Sequence, residues 1–203
     1  MNKNTDQPIS LSLPTGGPPG TPGETPHPGP QGIQLKASQT VCGDLDMRID
    51  KAGVWYHEGT PIGRKELVRL FSTVLKRDEA GDYWLITPAE AGRIAVEDAP
   101  FIAVELSCSG DGIDQVLSFR TNVDDNVTVD VDHPIRVDTG TSGPTSGPRP
   151  YVVMDGGLEA RIARPVYYEL VALGHEEKTD HGKKFGVRSS GVFFPLGQLD
   201  EER

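Results

Sequence analysis

Two arginines that stand 100 residues apart carry the most specific chemistry in this sequence. Arg64 and Arg164 each follow an isoleucine by two residues, and each comes at the start of a predicted helix. A guanidinium binds a phosphate or carboxylate through two parallel hydrogen bonds, and a helix N-terminus adds its dipole. We therefore interpret the pair as the grip for an anionic group. The alternative is structural, with each arginine bonded to an acidic side chain such as Asp98.

Aromatic residues extend this candidate site. Trp55 and Trp84 lie in neighbouring predicted hairpins, and a ring beside a guanidinium suits a base stacked next to a bound phosphate. Side chains alternate across a strand, so Trp55 and Tyr56 point to opposite faces, as do Tyr83 and Trp84. At least one residue of each pair is therefore expected in the core. The candidate ligand-binding residues are Arg64, Arg164, Trp55, Trp84, Arg48 and Tyr168.

No catalytic signature accompanies these residues. Glu97 and Asp98 are adjacent carboxylates, but neighbouring positions on a strand point apart. His175 and His181 stand six residues apart, a spacing that fits no zinc motif. Ser189 lacks the sequence of a nucleophile elbow. We expect no metal, no cofactor and no enzymatic activity, although a catalytic site assembled from distant residues stays open.

The formal net charge of −10 argues against bulk binding of nucleic acid, because such proteins present basic surfaces. A local basic pocket for a small anion is still compatible with this charge. The sequence contains no run of 18 apolar residues, so we predict no membrane-spanning helix. The polar residues 1–7 are not followed by the apolar segment of a signal peptide, so we predict no signal peptide. Cys42 and Cys108 lie far apart, as is typical of thiols in a reducing compartment. We therefore expect a cytoplasmic protein that does not contact a membrane.

The predicted elements that position these side chains are short hairpins around two helices. The first helix begins near Arg64 and is indicated by apolar residues at helical spacing, namely Leu67, Leu70, Phe71, Val74 and Leu75. The second helix opens at Pro165 and closes near Gly174. A strand is predicted over 127–131, whose alternation turns Val127, Val129 and Val131 inward.

Composition divides the chain into three parts. Between Pro14 and Gly32, proline and glycine fill 13 of 19 positions, which leaves too little apolar surface to offset the entropy of ordering. We predict a disordered tail over 1–40, an N-terminal α+β repeat over 41–99, and a C-terminal α+β repeat with additional antiparallel strands over 100–199. A Gly/Ser/Pro-rich loop at 139–150 is predicted to be flexible.

The two runs of hairpin, helix and hairpin can be aligned with each other. Three residues match at a constant offset of 100, namely Ile62 with Ile162, Arg64 with Arg164, and Leu70 with Leu170. The shared order of elements favours an internal duplication. The alternative is that three residues before and within a helix coincide by chance.

Several long motifs in the chain resemble a known bacterial family. They are 42–49 (CGDLDMRI), 53–64 (GVWYHEGTPIGR), 66–71 (ELVRLF), 77–78 (RD), 83–88 (YWLITP), 96–101 (VEDAPF) and 119–122 (FRTN). Together they resemble the family catalogued as domain of unknown function 1285, from about Cys42 to Leu196. The Pro/Gly-rich start departs from the family pattern.

The resemblance implies an α+β fold with a duplicated core. Its C-terminal half would be a larger antiparallel sheet or partly open barrel with one helix, superficially similar to pleckstrin-homology-like folds. A groove between the halves would hold a nucleotide-like ligand in a signalling role, with no reaction established for the family. We expect a non-catalytic protein that senses an anionic small molecule there. The alternative is a protein-interaction module that binds a protein partner through the tail and a sheet edge.

Overall fold

The computed structural model of the chain describes residues 28–138, 147–179 and 182–198. Residues 1–27 of the predicted tail and 139–146 of the predicted flexible loop lie outside the described residues. The end of the predicted tail lies against the folded body, because Pro30 is buried and the Gln31 N–H donates to the Asp78 carboxylate. The described fold therefore begins ahead of the predicted boundary at residue 41.

The N-terminal unit is one six-stranded sheet with one helix. Its elements are β1 (Thr40–Ile49), β2 (Trp55–His57), β3 (Thr60–Pro61), α1 (Lys65–Thr73), β4 (Leu75–Arg77), β5 (Tyr83–Ile86) and β6 (Glu90–Val96). The strand order is β3-β2-β1-β6-β5-β4, and the pairs are antiparallel except β1 with β6. This parallel pair joins the first hairpin to the three-stranded meander β4–β6.

Helix α1 forms where apolar spacing predicts it, but it ends before Leu75. Phe71 is buried and Leu67 packs against the core, which gives the helix one apolar stripe. Val74 closes the helix, and its N–H bonds back to the last-turn carbonyls. Leu75 instead begins β4, where it is 1% exposed. Either element buries Leu75, so apolar spacing alone extends the helix too far.

The C-terminal unit divides its strands between two sheets. Its elements are β7 (Phe101–Ser109), β8 (Val116–Thr121), β9 (Asn126–Thr128), β10 (Ile135–Asp138), β11 (Arg149–Val153), β12 (Glu159–Ile162), α2 (Arg164–Ala172), β13 (His175–Thr179), β14 (Gly182–Ser189) and β15 (Val192–Gln198). One sheet has the order β10-β11-β12-β7-β8-β9, and the other is the meander β13-β14-β15. Because β7 and β12 run parallel, the larger sheet is mixed rather than antiparallel as predicted.

The predicted α+β class and the two related units are confirmed. Each unit has an antiparallel hairpin (β1–β2 or β11–β12), then a helix, then a three-stranded antiparallel meander. The closing element is a meander rather than the predicted hairpin, because β4 and β13 add a strand each. In the N-terminal unit the meander joins the hairpin in one sheet, whereas in the C-terminal unit it stands apart. No closed barrel forms within the described residues.

The aligned residues take similar but not identical places in the two units. Ile62 is half-buried between β3 and α1, whereas Ile162 is buried at the end of β12. Arg64 is the residue just before α1, and Arg164 is the first residue of α2. The two arginines therefore differ by one position relative to the helix start.

One hydrophobic core runs through both units. Ile49 and Leu85 from the N-terminal unit and Phe119 and Leu170 from the C-terminal unit are all fully buried within it. The two units therefore share their apolar packing instead of enclosing separate cores. Among the described residues, no helix is long and apolar enough to cross a bilayer.

Polar contacts join the units where their shared core reaches the surface. Asp98, between β6 and β7, accepts a hydrogen bond from the Tyr151 hydroxyl at 2.7 Å and lies 3.2 Å from Nε of Arg161. The amide nitrogen of Asn122 donates to the carbonyl of Gly53 at 3.2 Å. The Asn122 contact fixes the turn between β1 and β2 against the C-terminal unit, and the Asp98 contacts fix the segment between β6 and β7.

Strand β9 is shorter than its alternation predicts. Val127 and Val129 are buried as predicted, but Val131 is 70% exposed, so the prediction for Val131 is wrong. The chain leaves the sheet after Thr128, and the Asp130 carboxylate accepts the backbone N–H groups of the two residues at 132 and 133. This side-chain turn rotates Val131 to solvent and sets the direction of His133.

Candidate anion-binding site

A shallow depression of about 390 Å³ lies at the junction of the two units. One wall is the turn between β4 and β5, residues 77–81, and the other is the pair Gly156 and Gly157 in the turn between β11 and β12. We call it the junction depression. Its volume is at the lower end of the range for small-molecule sites.

Arg77 supplies the positive charge of the junction depression. It is the last residue of β4, and its exposed guanidinium lies across the depression, with Nη1 3.4 Å from the carbonyl oxygen of Gly157. Nη2 is 3.6 Å from the place where a Cβ on Gly81 would lie. The ring centroid of Tyr83 is 5.7 Å from Cζ. Within the described residues, a long hydrogen bond to a carbonyl and a distant cation–π contact with Tyr83 therefore engage this cation, and no carboxylate does.

Arg77 is unusual among the arginines of this acidic chain. Of the eleven arginines in the described ranges, eight lie within 4.0 Å of a carboxylate oxygen, namely Arg48, Arg69, Arg93, Arg120, Arg136, Arg149, Arg161 and Arg188. The three without such a partner among those residues are Arg64, Arg77 and Arg164. Of these three, Arg77 is the one that lines the junction depression.

The N-terminal wall is held by a buried carboxylate. Asp78 Oδ2 accepts from the Gln31 N–H and from Nε1 of Trp84, both at 3.0 Å, and Oδ1 accepts from the Asp82 N–H at 2.9 Å. Burial alone would raise the pKa of Asp78, but these hydrogen bonds outweigh it and hold the pKa below its ordinary value. The carboxylate is therefore occupied by N–H donors and fixes the turn that presents Arg77.

The C-terminal wall is bare backbone. Gly156 and Gly157 both have positive φ, at 67° and 72°, which favours glycine. A Cβ added at either position would meet nothing within 4 Å, so open space lies above both. Asp155 opens this turn, and its carboxylate lies 3.2 Å from Nε2 of His133. The wall thus gives a ligand direct access to the main chain.

Arg64, Arg164 and Tyr168 lie on the surface outside the lining of the junction depression. Arg64 is exposed, and its side chain makes no hydrogen bond or ion pair within the described part of the chain. Nε of Arg164 donates to the hydroxyl of Tyr168 at 2.9 Å, and this tyrosine is 58% exposed. Arg164 and Tyr168 are thus brought together, and no contact among the described residues joins them to Arg64.

Trp55 and Trp84 lie in the core, with 1% and 3% of their surface exposed. Trp55 stacks on Phe71 of α1 at a centroid distance of 6.2 Å, and its Nε1 has no hydrogen-bond partner among the residues that the structure describes. The expectation that at least one aromatic of each pair is buried agrees with this placement. Neither indole presents an open face on which a ligand ring could stack.

Arg48 is engaged elsewhere. Its guanidinium lies 3.8 Å from the ring centroid of Tyr56 and 3.0 Å from a carboxylate oxygen of Glu97. The exposed ion pair contributes little to stability, but it orients the arginine along the sheet. Of the sequence candidates, Arg64 and Arg164 therefore keep a guanidinium free of carboxylates, and Arg48 does not.

Sequence reasoning misses Gly156 and Gly157 as site residues. It includes Arg77 only as one of five basic residues of the first helix region, with Arg64, Lys65, Arg69 and Lys76, and favours a solvated helix face over an anion-binding surface for this group. In the sequence, residues 156–157 look like an ordinary hairpin turn. Arg77 lies among the polar residues that follow the predicted first helix. The proximity of Arg77 to these glycines depends on contacts between residues 80 apart in the chain. The signal for Arg77 lies in the fold, since it is one of three arginines without a carboxylate partner among the eleven in the described ranges.

No group of three potential metal ligands occurs among the residues that the structure describes. The polar segment that contains His175 forms strand β13, whereas Asp180 and His181 lie outside the described ranges. Cys42 and Cys108 are exposed and form no disulfide. Partial burial of the Cys42 thiol, together with the nearby charge of Glu90, raises the pKa of Cys42. These thiols show no sign of activation.

Two related hairpin–helix–meander units around a shared core define a two-unit α+β protein. The family model for the N-terminal domain of DUF1285, a domain of unknown function, matches residues 37–99. The model for the C-terminal domain of DUF1285, a protein of unknown function, matches residues 100–196. The chain belongs to the DUF1285 family.

Solved structures agree with this assignment. A DUF1285 family protein from Silicibacter pomeroyi DSS-3 is 43% identical, with 85% of this chain and 90% of that chain covered and a TM-score of 0.74. A DUF1285 family protein from Shewanella baltica OS155 is 24% identical, with 63% and 91% covered and a TM-score of 0.51, which is a likeness in fold. No curated protein matches the chain.

Proposed function

We propose that this protein is a non-catalytic binding protein that takes an anionic small molecule in the junction depression. The observation that carries the proposal is Arg77, a guanidinium without a carboxylate partner among the described residues, placed in a depression between the two units. Arginine binds phosphate and carboxylate through its planar fork, so a ligand anion would complete the pairing that most arginines here already have.

The surroundings of Arg77 favour a small ligand over an extended one. The guanidinium lies over Gly81 and reaches Gly157, so an anion bound to it would lie against glycine backbone on both walls, with Glu79 as the exposed acidic side chain of the lining. Asp78, the nearest carboxylate in sequence, is occupied by three N–H donors and does not compete for Arg77. A phosphate group with a modest organic part, such as a mononucleotide, fits a depression of about 390 Å³.

Thermal unfolding with sulfate, phosphate, pyrophosphate and adenosine monophosphate tests the proposal, with sodium chloride at matched ionic strength as the reference. A ligand that binds only the folded state raises the melting temperature by mass action. We expect at least one of these anions to raise it in proportion to the logarithm of its concentration. Absence of any shift beyond that of sodium chloride for all four overturns the proposal.

Matched variants locate the site. Arg77→Gln is expected to abolish the shift, whereas Lys76→Gln removes the same charge from the adjacent residue, on the opposite face of β4, and is expected to keep it. Arg64→Gln and Arg164→Gln test the helix-start arginines in the same way. Loss of the shift in either of these variants with retention in Arg77→Gln would move the site to the helix starts and refute the junction depression.

A further inference from the structure

His133 connects two loops of the C-terminal unit. Its Nδ1 lies 3.1 Å from Oδ1 of Asp130, in the loop between β9 and β10. Its Nε2 lies 3.2 Å from Oδ1 of Asp155, which opens the turn between β11 and β12. The backbone N–H of His133 also donates to Asp130 at 2.9 Å, which fixes the imidazole on its own loop.

This geometry calls for a protonated imidazole. A neutral imidazole has one N–H and one acceptor nitrogen, so it donates to only one of two carboxylates and presents a lone pair to the other. An imidazolium donates to both. Partial burial works to lower the pKa of His133, but the hydrogen bonds and charges of Asp155 and Asp130 outweigh it and raise the pKa above its ordinary value.

Two side chains contact the Asp155–Gly157 turn among the described residues, His133 at Asp155 and Arg77 at Gly157. The Asp155 side chain is fully exposed even with the His133 contact. A 2.8 Å hydrogen bond from the Met154 N–H to the Leu158 carbonyl flanks the turn, which closes with a long 3.4 Å hydrogen bond from the Leu158 N–H to the Asp155 carbonyl. The two following glycines form the C-terminal wall of the junction depression, and the far end of that wall meets Arg77. The turn therefore has one side-chain contact at each end, and His133 supplies the contact at Asp155.

We propose that protonated His133 clamps the Asp155–Gly157 turn and that loss of the proton releases this wall, so that the junction depression binds anions more tightly as pH falls. The charged groups that face the imidazole are Asp130 from its own loop and Asp155 from the neighbouring turn. Protonation also offsets the negative charge of Asp155 beside the depression, which acts in the same direction. The control of affinity rests on the proposed function, but the clamp itself does not.

Nuclear magnetic resonance tests the clamp without any ligand. The ring protons of His133 and the amide signals of Gly156 and Gly157 are followed between about pH 5 and pH 8.5, the range in which histidine titrates. We expect the glycine amides to shift with the same midpoint as the His133 ring. In Asp155→Asn the His133 midpoint is expected to fall and the glycine shifts to flatten. Glycine amides that do not follow His133 in the wild type overturn the clamp.

Sulfate tests the control of affinity, because its charge is constant over this range. We expect the dissociation constant of sulfate to rise about fivefold or more from the acidic end of the titration to the basic end, a typical size for coupling between sites. In His133→Gln, which removes the proton without touching the lining of the depression, this dependence is expected to vanish. An equal pH dependence in both proteins overturns the regulation. Absence of sulfate binding at every pH refutes the control of affinity, and it refutes the proposed function as well if the other anions also fail to bind. In that case the glycine signals alone decide whether the clamp exists.

Discussion

The hydroxyl of Tyr151 donates a hydrogen bond of 2.7 Å to the carboxylate of Asp98, which ties strand β11 to the segment between the two units. Tyr151 is 3% exposed, and burial together with the Asp98 hydrogen bond and charge raises its pKa to about 12. The phenol therefore keeps its proton throughout the physiological range. The bond is a charge-assisted contact in a poorly solvated place.

Tyr151→Phe should therefore destabilise the protein measurably. A hydrogen bond to a charged group contributes about 1.5–3 kcal/mol, and the variant leaves Asp98 with Arg161 as its remaining partner. The free energy of unfolding from urea titration measures the loss. Tyr168→Phe is the matched control, because its hydroxyl is exposed and should change stability by less than about 0.5 kcal/mol. Equal midpoints for the two variants would refute the role of the Asp98 contact.

A second prediction concerns the close approach of β6 to Leu45. A Cβ on Gly92 would lie 2.5 Å from Cγ of Leu45, in the buried interior of the sheet. Gly92→Ala should therefore overpack the core and cost about 1–3 kcal/mol. Gly63→Ala meets open space and is expected to be nearly neutral. Thermal unfolding compares the two, and a Gly92→Ala protein as stable as Gly63→Ala would contradict the packing.

The elements that sequence reasoning predicts are those with an apolar face. Helix α1 and the hairpin before α2 carry apolar residues at the period of their geometry, and both form. Strand β13 (His175–Thr179) escapes notice because it lies at the edge of a three-stranded sheet, where Glu176 and Lys178 are exposed. Backbone hydrogen bonds to β14 hold this strand in the sheet, so it lacks the apolar pattern by which sequence analysis detects a strand.

The candidate site is harder to predict than the fold for a physical reason. Arg64 and Arg164 stand out because helix starts can be read locally, yet no described contact brings them together. Arg77 and Gly157 meet across 80 residues, through the packing of two turns that each look unremarkable. In the sequence, each tryptophan suits the core as well as the surface. Their burial becomes evident only when the sheets are assembled.

The two tryptophans give a third prediction. Both are buried, but Nε1 of Trp84 donates to the Asp78 carboxylate at 3.0 Å, whereas Nε1 of Trp55 has no partner in the described part of the chain. Phenylalanine removes similar volume at each site, so the difference in cost isolates the hydrogen bond. Trp84→Phe should be less stable than Trp55→Phe by about 1–3 kcal/mol. Urea unfolding followed by circular dichroism avoids the lost fluorescence, and the reverse order would disprove the assignment.

The fourth prediction concerns the free energy of unfolding at acidic pH and the contribution of Asp78 to it. Its pKa is lowered in the folded state, because the hydrogen bonds of its carboxylate outweigh burial. Its stabilisation is therefore present above the unfolded-state pKa of about 3.9 and is lost as pH falls through the folded value. Asp78→Asn should be less stable at neutral pH, since an amide NH₂ faces N–H donors, and its stability should decline less between about pH 5 and pH 3.

Asp111→Asn serves as the control, because this exposed aspartate has no side-chain partner within the described ranges. At neutral pH its free energy of unfolding should stay within about 0.5 kcal/mol of the wild-type value, as for other surface substitutions. The Asp78→Asn curve of unfolding free energy against pH should converge on the wild-type curve as the solution becomes more acidic, because both then lack the ionised carboxylate. Two curves that stay parallel down to about pH 3 would mean that Asp78 titrates normally in the fold and that its three donors do not hold the Arg77 turn.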